Sequence, residues 1–135
     1  MSSRDWGAVR DCMRTDVTEV DGKLDVLSAL KTMKKVGATS LIVKRRDEKD
    51  EIGLLLFSDI AREVIAKDRA PERVNVYEIM AKPVLTVRPD MEIRYCARMF
   101  ENFGISHAPV VENDEIVGMV SFYQLVLHGI MPDLD

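Results

Sequence analysis

The stretch Gly118-Met119-Val120-Ser121-Phe122-Tyr123-Gln124 decides how this sequence is read, together with its echo Gly53-Leu54-Leu55-Leu56-Phe57-Ser58-Asp59. Each opens on a glycine, runs through apolar residues and ends in polar ones where an amphipathic pattern begins. That order predicts a buried strand feeding directly into a helix N-terminus. Unpaired backbone N–H groups and the positive end of the helix dipole converge at such a junction, so it can hold an anion. A hydroxyl or carboxylate in the first turn adds one specific contact.

Working outward, the two junctions belong to an internal duplication. Gly104 lies 67 residues after Gly37, and the same shift places Met80 on Met13, Val84 on Val17, Phe100 on Met33 and Val110 on Val43. A longer insert in the first copy then reduces the shift to 65, and Gly118 falls on Gly53. Few residues are identical, but apolar positions and glycines coincide throughout, as in a structural repeat.

Each copy reads as strand, helix, strand, strand, helix. In the first, Arg4 to Met13 is a modest helical lead-in and Val17 to Val20 a strand. Asp21 is placed to cap a helix from about Lys23 to Val36, with Leu24, Leu27, Leu30 and Met33 as its apolar face and Gly37 as its stop. Leu41-Ile42-Val43 and Ile52 to Phe57 are strands, and a helix runs from Ser58 to about Lys67. The run Lys44-Arg45-Arg46-Asp47-Glu48-Lys49-Asp50-Glu51 between the strands carries four positive and four negative charges, a solvated hairpin loop with no net field. In the second copy, Val84 to Val87 is a strand and Pro89-Asp90 starts a helix bearing Met91, Arg94, Ala97, Phe100 and Phe103. Strands His107 to Val111 and Ile116 to Ser121 flank an Asn113-Asp114 turn, and a last helix spans Ser121 to about His128. The expected boundaries are repeat 1 at 9–68, a linker at 69–76 and repeat 2 at 77–130. A unit of this size buries too little surface to be comfortable alone, so the two copies are expected to pack together.

The 135 residues, 47% apolar and 31% charged, fit one compact α/β (α+β) domain. Nineteen basic against 23 acidic residues give a net charge of −4 without a basic stripe, which argues against nucleic acid as a partner. Cys12 and Cys96 are too few for a metal knuckle or disulfide framework and read as reduced, with Cys96 in the core. The N-terminus lacks an apolar leader core and no stretch reaches the roughly 18 apolar residues of a membrane span, so a soluble, cytoplasmic protein is expected.

Taken together, Met80-Ala81, Val84-Leu85-Thr86-Val87, Phe103-Gly104-Ile105-Ser106-His107-Ala108-Pro109-Val110-Val111 and Val117-Gly118-Met119-Val120-Ser121 resemble a cystathionine beta-synthase (CBS) domain. Their counterparts Gly37-Ala38-Thr39-Ser40-Leu41-Ile42-Val43 and Ile52 to Ala61 make the whole similar to a tandem CBS pair, the Bateman module, over about Val9 to Gly129. The resemblance implies two pseudo-symmetric repeats packed sheet to sheet, commonly dimerising, with adenosine-containing ligands in the clefts between repeats. It implies no catalytic cofactor. The ligand expected is AMP, ADP or ATP, with S-adenosylmethionine or NAD as further options.

In the family the junction reads glycine, two apolar residues, serine or threonine, two variable residues and an aspartate that accepts the ribose hydroxyls. Asp59 matches that aspartate, but Leu56 stands where the hydroxyl belongs, with Ser58 as a neighbour able to cap instead. Bonds to a charged carboxylate contribute about 1.5 to 3 kcal/mol each. The alternative for Asp59 is an acid in the first helical turn, stabilised by the dipole, and the resemblance favours ligand binding. The second copy departs in the opposite way: Ser121 is present and Gln124 replaces the acid, while Ser121 to Gln124 also satisfies the capping-box pattern. The implied ligand-binding set is Asp59, Ser58, Thr18, Thr39 and Ser40 in the first copy, and Thr86, Ile105, Ser106, His107, Ala108, Pro109, Ser121 and Gln124 in the second. His107 is either a modest phosphate contact or a strand histidine bonded to backbone, and Pro109 requires an edge position.

The function expected is a non-catalytic module that binds an adenine nucleotide and signals by conformational change, in trans, to a protein target that the sequence does not name. The alternative is a structural or dimerisation module whose sites are degenerate at Leu56 and Gln124. An enzyme is not expected: no nucleophile has a base beside it, and the sequence contains no metal-ligand cluster and no P-loop.

Overall fold

The computed structural model describes residues 4–133, so Met1 to Ser3 of the N-terminal stretch read above lie outside the described residues. The elements in order are α1 (Val9–Cys12), β1 (Glu19–Val20), α2 (Val26–Val36), β2 (Ser40–Val43), β3 (Gly53–Leu56), α3 (Phe57–Ile60), α4 (Val76–Ile79), α5 (Ile93–Phe103), β4 (His107–Glu112), β5 (Glu115–Ser121) and α6 (Phe122–Ile130). A π-helical turn (Ala61–Ile65) continues α3, and a 3-10 turn (Pro71–Arg73) precedes α4.

The chain forms two compact units. Thr18–Val84 makes one, called the central unit from its place in the sequence, and the residues up to Val17 and from Leu85 onward make the terminal unit. The packing units therefore differ from the sequence repeats: the leading segment of repeat 1 completes the core of repeat 2's unit, and the linker with the leading segment of repeat 2 completes that of repeat 1. Val9 lies fully buried among Val87, Cys96, Phe100, Val110 and Val120, whereas Val74, Val76 and Ile79 are buried among Met33, Leu41 and Leu55.

In the central unit β1 pairs parallel with β2 and β2 antiparallel with β3, with Ser40 opposite Leu56 and Val43 opposite Gly53. Ala81 extends the sheet by bridging Leu54, with N–H to O distances of 3.0 and 2.9 Å. The terminal unit repeats the plan. The β4–β5 hairpin carries a bulge at Val110/Val111, Val87 bridges Val110 in parallel, and Arg14 bridges Met119 at 2.9 and 2.8 Å. These bridges explain both junction glycines. A Cβ on Gly118 would lie 2.7 Å from the Arg14 carbonyl oxygen, and one on Gly53 would lie 2.5 Å from the Met80 sulfur.

Several local expectations are corrected. The expected helix from Arg4 shrinks to the single turn of α1. Helix α2 starts at Val26 because Asp25, not Asp21, is its N-cap: its carboxylate accepts the Ser28 N–H at 2.9 Å and the Ser28 hydroxyl at 2.6 Å. Asp21 instead accepts the Lys23 N–H in a local turn. The buried face of α2 is Val26, Ala29 and Met33, and Leu30 is exposed. Val84 to Val87 contributes one bridging residue, since Val87 alone donates to Pro109 and accepts from Val111. Helix α5 begins at Ile93, and Phe103 at its end is exposed. Other expectations hold. Gly37 and Gly104 end α2 and α5 in the left-handed region (φ 70° and 63°), and Asn113 and Asp114 turn the hairpin with φ 52° and 63°.

Candidate functional site

Two junctions of equivalent construction hold the expected site residues, one in each unit. In the central unit β3 runs without a break into α3, so Leu56 is at once the last strand residue and the helix N-cap. Leucine offers no side-chain acceptor, and the helix is stabilised from the other direction. Asp59, three residues on, accepts the Leu56 N–H at 2.9 Å through one carboxylate oxygen and the Arg62 guanidinium at 3.0 Å through the other. The Asp59 side chain is 10% exposed and that of Arg62 65%, so the pair is an acid at the surface of the core held under a solvated base. A carboxylate has about four acceptor positions, so its two oxygens can serve several donors at once.

Ser40 faces Leu56 across the ladder and is half-buried. Thr18, also half-buried, gives its carbonyl to the Ile42 N–H at 3.0 Å. Thr39 is exposed just before β2. Ser58 lies inside α3 and exposed, so it does not cap the helix as expected.

In the terminal unit Ser121 ends β5 and caps α6. The Gln124 side-chain oxygen accepts the Ser121 N–H at 2.8 Å, and the Ser121 hydroxyl donates to the same oxygen. His107 stands opposite Ser121 in the ladder, with its Nδ1 2.8 Å from the Ser106 hydroxyl, and the Ser106 carbonyl accepts the Phe122 N–H at 3.2 Å. Ser106, His107, Ser121 and Gln124 are thus gathered at one end of the hairpin. Ala108 and Pro109 are buried, with Ala108 in the core, and they offer a ligand no side chain. Pro109 turns its carbonyl to Val87, so its missing N–H falls on the lightly paired side of β4. Ile105 is half-buried and closes the turn after α5 through its N–H, and Thr86 is exposed beside Val87.

The two junctions therefore differ in charge. One carries an ionisable acid bonded to an arginine, and the other a neutral amide bonded to a serine. Arg62 was not foreseen, although an acid and a base three apart on a helix are the sequence signal for such a pair.

The sequence model of the CBS domain matches residues 9–66 and 76–128. The chain belongs to the CBS domain family. The CBS pair fold is shared with the hexameric CBS-CP12 protein from bloom-forming cyanobacteria, 31% identical with a TM-score of 0.89 over 94% of this chain and 73% of that one. The CBS domain pair of protein MJ0100, in complex with 5′-methylthioadenosine and S-adenosyl-L-methionine, is 23% identical with a TM-score of 0.75 over 89% of this chain and 93% of that one. A homoserine O-acetyltransferase of Methanosalsum zhilinae is 34% identical over 83% of this chain and 22% of its own length. This CBS chain spans less than half the length of several curated relatives that it matches.

Among the described residues no group of three or more His, Cys, Asp and Glu could hold a metal ion, and no described helix is long and apolar enough to cross a membrane. Cys12 and Cys96 are not bonded to each other, and burial is the main force pushing each thiol up to about 11. Thiols that high are poor nucleophiles at neutral pH.

Proposed function

We propose that this CBS pair is a non-catalytic regulatory module that binds an adenosine-containing ligand, AMP, ADP or ATP in preference, and signals to a protein partner in trans. Its carrying observation is Asp59: an acid 7% exposed overall, where a strand ends and a helix begins, with both oxygens held in place by the Leu56 N–H and the Arg62 guanidinium. Membership of the CBS family and the adenosyl ligands of the MJ0100 pair support the ligand class. To act as a switch the ligand must bind one arrangement of the protein better than another, since equal affinity shifts nothing.

Calorimetric titration with AMP, ADP, ATP and S-adenosylmethionine tests the reading. At least one ligand is expected to bind, and Asp59→Asn, which keeps an oxygen for the Leu56 N–H, is expected to bind about tenfold or more weakly. No heat from any of the four at millimolar ligand would reject it.

One observation favours a second reading, a structural or dimerisation module with degenerate sites. The Asp59 oxygens already bond Leu56 and Arg62, and Gln124 already bonds Ser121. On that reading no adenosine compound raises the melting temperature, because only a ligand that binds the folded state can do so.

A further inference from the structure

We propose that the central unit carries a second site, a basic groove that binds a phosphorylated organic molecule at the end of β2 away from Asp59. Ser40, at one end of β2, faces the Leu56–Asp59 junction, and Val43, at the other, faces Gly53. A cavity of about 690 Å³ opens beside Val43, within the volume range of small-molecule sites.

Its composition is specific. Lys23, Lys44, Arg45, Arg46 and Lys82 all line it, and Asp21 is the one acid among its lining residues. Two of the five cations are tied to a single carboxylate. Asp50, its side chain 7% exposed, takes Lys82 at 2.5 Å and Arg46 at 3.0 Å, and also accepts the Arg46 backbone N–H at 2.9 Å. That anchor fixes the start of the β2–β3 connection against the segment that follows α4. Lys23, Lys44 and Arg45 are exposed and have no carboxylate partner among the described residues. The Asp21 carboxylate is engaged by the Lys23 backbone N–H at 2.8 Å, not by the lysine's ammonium group. Three cations left uncompensated around a concavity are the arrangement that a phosphate group neutralises.

The remaining lining supplies an apolar body contact. Tyr77 is 52% exposed and shares the cavity with Met80 and the buried Val43. Gly22 lets the two walls approach, since a Cβ there would lie 3.3 Å from the Tyr77 Cβ and 3.4 Å from a Val43 methyl. An aromatic face beside a cationic rim fits a ligand with a planar apolar part and a phosphate. The groove is also peculiar to the first copy, for Lys44, Arg45 and Arg46 fall on Val111, Glu112 and Asn113 under the 67-residue shift. It owes nothing to the fold's internal symmetry.

The test is an amide chemical-shift titration of the full chain with phenyl phosphate, inorganic tripolyphosphate and phenol as probes. Phenyl phosphate is expected to give saturable shifts at Gly22, Lys44, Arg45 and Tyr77, more tightly than phenol, and to weaken as salt rises. The double variant Lys44→Glu/Arg45→Glu, at exposed positions, is expected to lose about tenfold or more in affinity, while Asp59→Asn leaves it unchanged. Absence of saturable shifts with both phosphate probes, or shifts indifferent to the charge reversal, overturns the site. Equal affinity for phenyl phosphate and phenol overturns the role of the cations. Shifts centred on Leu56 and Asp59 overturn the location and instead support the nucleotide reading, which can fail or survive independently.

Discussion

Gly118 and Gly53 occupy matching positions, yet they are constrained by different neighbours, and substitution should tell them apart. A methyl on Gly118 meets the Arg14 backbone carbonyl at 2.7 Å, whereas one on Gly53 meets first the flexible end of Met80 and only then the Ala81 carbonyl at 3.3 Å. A side chain can rotate away, but a bridging strand cannot without breaking its hydrogen bonds. Gly118→Ala is therefore expected to cost about 1 to 3 kcal/mol and Gly53→Ala less, as measured by urea unfolding of each variant. Equal costs would remove this account of the glycines. At this scale the sequence was partly legible. Gly37, Gly104 and Asn113-Asp114 announce a backbone conformation by residue type alone. The choice of Asp25 over Asp21 as the cap of α2 was not visible, because both are aspartates and the tertiary bridge of Asp25 to Asn75 selects between them.

Among the elements, the β2–β3 connection shows how folding sorts charges that composition cannot. Its eight residues sum to zero, and a linear reading makes it a solvated loop without a field. In the structure Lys44, Arg45 and Arg46 line one groove while Asp50 sits beneath, bonded to Arg46 and to Lys82, a residue far along the chain. No pattern in the sequence joins positions 50 and 82. The Arg46 guanidinium, and then the Lys82 ammonium, hold the Asp50 carboxyl well below the usual carboxylate range. A pKa depressed in the folded state contributes stability that is fully present above the unfolded value, about 3.9, and is lost as pH falls below it. The connection is expected to loosen progressively below about pH 4, seen as a falling hydrogen-exchange protection factor at the Arg46 amide, the measured rate being divided into the unstructured rate at the same pH. Asp50→Asn should show that loosened state already at neutral pH. An Arg46 amide equally protected in the variant would contradict the anchor. Helix–strand order was legible here from apolar periodicity, but the strand expected over Val84 to Val87 was not resolved into its single bridge, since β-branched composition does not reveal which backbone groups find partners.

At the scale of the whole chain, the duplication read from glycine spacing is the fold's organising fact, and the family match falls on the same two segments. What spacing could not reveal is the exchange of leading segments between units. Periodicity reports similarity between stretches of chain, and it does not report which stretch covers which core. The exchange predicts how fragments behave. A piece spanning 18–84 keeps Val74, Val76, Ile79 and the Ala81 bridge, whereas a piece spanning the sequence repeat 9–68 lacks all four. The former is expected to unfold cooperatively on heating and the latter to show no cooperative transition, as followed by circular dichroism. The reverse outcome would mean that the repeats, not the exchanged units, are the cooperative bodies. The candidate ligand residues were legible only as a set implied by resemblance. Their bonding to Arg62, Leu56 and Ser106 depends on geometry that residue type does not specify.

The exchange of leading segments also bears on how the chain is born. The central unit has all of its residues once Val84 has been synthesised, so it can acquire its core while the ribosome is still working. The segment carrying Trp6 and Val9 precedes the central unit, yet its core lies in strands and helices that follow that unit, so it must wait about ten seconds at ordinary elongation rates for them to emerge. During that interval Trp6 and Val9 are hydrophobic side chains whose destination does not yet exist.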